Sequence, residues 1–300
     1  MISSEDSHIK KVEYEYLLNL TYKKTVTYLL NKYGEVSDDF FKEKSYVKFL
    51  NGEIKAITKG NYSKTSAGLF CHHIDENKFE NISNLEYIKH YKYPFIYQKK
   101  ERLVYCDLFE HLILHALIIK ETGAEYGVSG YDNYLYPMVT DWIIKKIDPK
   151  PDWMKKCKKR ALLSQIDAKN LLSIIDNSIK TFKEARFAIL HEEHEIRLKQ
   201  TNAAKLGLTI SEYEQYLLRK ELKVKEKLKL EELEKVKYFD KKYPNLQKVD
   251  VNIKTPRKKI LNLLYDHLYN KKFSNRKDFY KTKITILRDD LLNELNDIIN

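Results

Sequence analysis

Apolar positions recur at helical spacing along most of the chain and at strand spacing in only two short places. Residues 8–33 carry Val12, Tyr16, Leu17, Leu20, Val26, Leu29 and Leu30 on a helical period, and Gly34 supplies a stop. Ser37 is placed to cap a second helix ending near Leu50, ahead of Asn51 and Gly52. The apolar run Gly68-Leu69-Phe70-Cys71 reads as a strand, and so does Leu103-Val104-Tyr105-Cys106. A polar connection over 76–100 separates them, with one short helix from about Asn84 to His90.

Asp107 follows the second strand, with Glu110 three residues on. That capping-box spacing predicts a helix from Leu108 to about Lys120, closed by Gly123. Residues 124–137 read as an ordered loop. From Met138 the pattern is helical again, broken at Pro149 and Pro151. A long charged helix is predicted over about Ala168–Ala204. Gly207 breaks it and Ser211 caps the next, which reaches toward Phe239. Eight glycines and six prolines in 300 residues argue against a many-stranded protein, so the fold class is α+β, predominantly α-helical.

The charge balance adds a partner. Fifty-five Lys and Arg against 43 Asp and Glu leave a formal +12, which favours anionic partners with nucleic acid first. A lysine-rich composition bias is the alternative source of that charge. The excess is concentrated between Lys254 and Arg288, where aromatic residues are interleaved with the cations. Lys258, Lys259, Lys271, Lys272, Arg276 and Lys277 are the candidate phosphate contacts there, and Lys64 is another near the first strand. Three cysteines, Cys71, Cys106 and Cys157, are too few for a disulfide framework and suit a reducing compartment. No apolar run approaches the ~20 residues of a membrane span and no secretory leader is evident, so a cytoplasmic setting is expected.

Five of the nine histidines lie between 72 and 115, and four of them, His72, His73, His111 and His115, fall in two close pairs. His72 and His73 are adjacent at a strand end, so their rings point to opposite sides. His111 and His115 are four apart on a helix, on one face, where two imidazoles can grip one metal ion. His191 and His194, three apart on a highly charged helix, read as a solvated face.

The joint arrangement, Cys71-His72-His73-Ile74-Asp75 followed by Arg102 to Cys106 and Glu110 to His115, resembles the ββα-metal finger of HNH endonucleases. The resemblance covers about residues 66–121. It implies an embedded finger at 61–122, a helical region at 1–60, a second at 123–205 and a charged, basic region at 206–300. It implies that His72, His111 and His115 hold one divalent metal ion (Zn, Ni, Mn or Mg), that His73 is the general base, and that the substrate is DNA. The position of the family's middle Asn is Arg102, which leaves the orientation of His73 to another residue. Asn77, Asn81 and Asn84 are candidates. Arg102 and Lys64 are placed to contact the scissile phosphate. Two other readings stand beside this one. One is a nucleic-acid-binding protein with a structural zinc on Cys71, Cys106 and some of these histidines. The other is an HNH-derived adaptor that has lost cleavage and works through a partner. A homodimer or a protein partner is compatible with each of these readings.

Overall fold

The computed structural model describes residues 3–299, and they fall into two compact units, Met1–Glu195 and Ile196–Asn300. The centre of the first unit is one helix. Asp107 accepts a hydrogen bond from the Glu110 backbone N–H, and the Glu110 carboxylate accepts from the Asp107 N–H, so the capping box is complete. The helix it opens, α5 (Leu108–Glu121), is apolar nearly all round. Leu108, Phe109, Leu112, Ile113, Leu114, Ala116, Leu117, Ile118 and Ile119 are all buried. A helix with that pattern must be surrounded, and it is.

On one side lie α1 (Ser4–Leu18) and α2 (Tyr22–Tyr33). The single helix expected over 8–33 is divided by Asn19-Leu20-Thr21, where the Thr21 hydroxyl accepts from the Lys24 N–H and restarts the helix. Val12 and Tyr16 were expected on the apolar face but are about half exposed. Tyr14, Leu17 and Leu18 are buried instead. Ser37 caps nothing. α3 (Glu43–Leu50) starts later, and the Ser37 N–H donates to the Tyr105 hydroxyl.

A two-stranded antiparallel sheet lies against α5. β1 (Phe70–His73) pairs with β2 (Leu103–Cys106) in the register His72↔Val104 and His73↔Leu103. α4 (Leu85–Tyr91) sits in the connection, with the Asn84 side chain capping it. The expected loop at 124–137 is largely helical. Residues 128–144 form a short irregular helix with wide turns at Tyr131–Leu135 and Thr140–Ile144. Its buried positions Tyr131, Leu135, Val139 and Ile143 close the core from the far side of α5, joined by Leu171, Ile175 and Ile179 of the helix Gln165–Lys205. Residues from all three regions expected before 205 therefore share one apolar core.

In the second unit, Thr209, not Ser211, caps the helix Ile210–Lys242, through a capping box with Glu212. A small core of Phe239, Leu246, Ile260, Leu264, Phe279, Leu291, Leu292 and Leu295 holds the helices that follow. The aromatic residues interleaved with the basic stretch point into this core. Phe279 is fully buried and stacks on Tyr269, with ring centroids 4.8 Å apart. No helix among the described residues is long and apolar enough to cross a membrane.

Candidate metal centre

Strand alternation and helix periodicity meet at one point. On β1, Phe70 and His72 face α5, while Cys71 and His73 face the opposite layer. His111 and His115 stack one turn apart on α5, on the side that β1 covers. The three rings of His72, His111 and His115 have centroids 5.0–5.3 Å apart. One ring nitrogen from each lies within 4.8 Å of the other two, and no cysteine belongs to this group.

Hydrogen bonds set which nitrogens face inward. The Tyr22 hydroxyl donates its one proton to the Ile74 carbonyl at 2.9 Å. Its oxygen therefore accepts from His72 Nε2–H, also at 2.9 Å, and His72 Nδ1 is left as a lone pair. That lone pair is 3.2 Å from His111 Nε2. His115 Nδ1 lies 3.1 Å from the Gly127 carbonyl, which can only accept, so Nδ1 carries the proton. His115 Nε2 then faces the cluster. His111 Nδ1 is buried with no partner. Burial pulls His72 down to about 3 and His111 well below its ordinary value, so both rings stay neutral, the form that binds metal.

The environment keeps the rings in these positions. A Cβ on Gly130 would lie 2.2 Å from His115 Cε1, so this glycine leaves the space the ring fills. The donor set fits a divalent metal: two of its three imidazoles are oriented by groups behind them, as metal-binding histidines usually are. Three imidazoles suit Zn, Ni, Co or Mn better than Mg. A cleft of about 1020 Å³ opens over the cluster, with Glu76, His111, His115, Lys183 and Arg186 among its lining residues.

His73 sits outside the group, buried on the other face of β1 against Phe40, with ring centroids 4.4 Å apart. The amide that orients it is Gln98, not Asn77, Asn81 or Asn84. Gln98 Nε2 donates to the Ile82 carbonyl, so Gln98 Oε1 accepts from His73 Nε2–H at 3.1 Å. His73 Nδ1 is thereby a lone pair, 3.8 Å from Glu76 Oε1. Arg102 does not reach the cluster. Its guanidinium is held by the buried Asp75 through both carboxylate oxygens. Lys64 is engaged as well: its ammonium donates to the Tyr33 carbonyl at 3.1 Å and lies 4.6 Å from the Tyr105 ring centroid. In the second unit Lys259 pairs with Asp250 and Arg276 with Asp266, while Lys258, Lys271, Lys272 and Lys277 are exposed.

The cysteines stand apart from the cluster. Burial pushes the Cys71 thiol up to about 12 and Cys106 well above its ordinary value, so neither offers a thiolate. The sequence reading missed Tyr22, Glu76, Gln98 and Gly130. Only Glu76 carried a signal, its four-residue spacing from His72. Comparison with family models, with curated proteins and with solved structures gave no match.

Proposed function

We propose that the protein is a metal-dependent nuclease of the HNH kind that hydrolyses DNA phosphodiester bonds. The observation that carries this reading is the convergence of His72, His111 and His115 at the junction of a β-hairpin and a helix, with a fourth histidine behind the same strand. His72, His111 and His115 would hold the metal. When bound, the ion supplies positive charge for the phosphate and the departing oxygen.

The remaining roles fall to side chains. His73, with Nε2–H committed to Gln98, offers Nδ1, which lies 3.8 Å from Glu76 Oε1, as the acceptor of a proton from water. Burial lowers its affinity for protons, so it is unprotonated at neutral pH. Tyr22 and the Gly127 carbonyl hold one proton of His72 and one of His115 on the nitrogen that faces away from the centre. Arg186 lines the cleft and puts positive charge where a phosphate backbone would run, while Lys183, also in the lining, is paired with Asp132 at 2.6 Å. The exposed lysines 258, 271, 272 and 277 add a salt-sensitive contribution to DNA affinity.

Supercoiled plasmid incubated with metal-stripped protein reloaded with Mg, Mn, Ni or Zn tests the reading. Nicking with at least one metal, abolished by chelator, is expected. No cleavage with any of the four, in protein that binds metal, would refute nuclease activity and favour an adaptor role.

A further inference from the structure

Glu76 is a largely enclosed carboxylate with an unusual set of neighbours. Its side chain is 22% exposed, and no Lys or Arg pairs with it among the described residues. The neighbouring acid, Asp75, takes both nearby cations, Arg102 and Lys78. Glu76 faces imidazoles instead. Its Oε2 is 3.2 Å from His115 Nε2 and 3.7 Å from His72 Nδ1.

In a neutral ring each of those nitrogens is a lone pair, because the single proton is held on the far side by Tyr22 or by the Gly127 carbonyl. A carboxylate oxygen aimed at two lone pairs is repulsive unless a cation lies between them. Two of the distances suit one, while Glu76 stands outside the group of donors that all lie within 4.8 Å of one another, so binding requires its carboxylate to move in. Two donors bound to the same tetrahedral ion at about 2.0–2.1 Å lie about 3.3 Å apart, close to the Glu76–His115 separation and to the 3.2 Å between His72 and His111.

We propose that Glu76 is a fourth protein ligand of the metal, which makes the centre a three-histidine, one-glutamate site. The second oxygen, Oε1, then lies toward His73, so one carboxylate links the metal centre to the histidine on the other face of the strand. The opposing explanation is a doubly protonated His115 that pairs with Glu76 as a plain ion pair, which no metal needs. This inference rests on the metal-binding part of the proposed function and not on cleavage.

The test is zinc and cobalt titration of full-length wild type and Glu76→Gln, with an infrared difference spectrum of wild type on adding zinc. The glutamine keeps the shape and removes the charge. The expected result is a loss of affinity of 10-fold or more with helical content unchanged, an altered visible spectrum of the cobalt form, and shifted carboxylate bands in the wild-type difference spectrum. Equal or tighter metal binding by Glu76→Gln would overturn the assignment. So would a wild-type difference spectrum without carboxylate bands, a measurement that does not depend on the variant folding. Wild type that binds zinc through Glu76 but leaves DNA intact would refute the nuclease and keep the ligand. Wild type that binds neither metal would remove both.

Discussion

Gly130→Ala perturbs the candidate metal centre without replacing any of its three histidines. The Gly130 backbone is helical, with φ −63°, so alanine is allowed there. At an open helical position the change would stabilise the fold by about 1 kcal/mol. Here the new Cβ meets His115 Cε1 at 2.2 Å and Nδ1 at 2.6 Å. Restoring even a tight contact of 3.4 Å means that ring and backbone separate by about 1.2 Å. Metal–nitrogen distances tolerate only about 0.2 Å. The ring also leaves the Gly127 carbonyl that fixes its tautomer. Losing the orientation of one ligand costs roughly 10–100-fold in metal affinity, or about 1.4–2.8 kcal/mol. The assay is zinc competition against a chromophoric chelator, with far-UV circular dichroism to verify the fold. A folded Gly130→Ala protein that binds zinc as tightly as wild type would refute the claim that His115 is a ligand held by this packing.

Three further expectations rest on the same geometry. Tyr22→Phe removes the acceptor of His72 Nε2–H and should weaken metal binding by roughly 10–100-fold, measured by the same competition. Metal-stripped protein should lose stability as pH falls from about 6.5, the unfolded value of histidine, toward about 3, where His72 titrates in the fold, because unfolding lets His72, His73 and His111 take up protons. Melting temperatures that rise on acidification over this range would contradict the buried, neutral assignment. Replacing Lys258, Lys271, Lys272 and Lys277 by glutamine should lower the log–log salt slope of DNA binding by up to roughly 0.9 for each phosphate that is no longer neutralised. An unchanged slope would mean that these lysines are only solvated.

The parts of the site legible in the sequence were those set by local rules. β2, the Asp107–Glu110 capping box and the one-face placement of His111 and His115 depend on neighbours within four residues, and all three occur where the spacing puts them. Alternation on β1 also separated His72 from His73 correctly. The parts not legible depend on residues far apart in the chain. Gln98 is 25 residues from His73, and Tyr22 is 50 from His72. No period connects them. The helix at 128–144 was obscured by Gly127, Gly130 and Pro137, which read as turn residues. Its buried positions 131, 135 and 139 recur every four residues, and the wide turns accommodate the remainder. Arg102 reads as free to meet a phosphate because Asp75, its partner, lies across the hairpin.

Supercoiled-plasmid nicking by wild type, His73→Ala and His111→Ala, with metal occupancy fixed by titration, tests the central claim most directly. His73→Ala should bind metal like wild type and cut about 10²–10⁴-fold more slowly, while His111→Ala should lose metal and cleavage together. Equal loss of metal from both variants would place His73 among the ligands and contradict its assignment as the base.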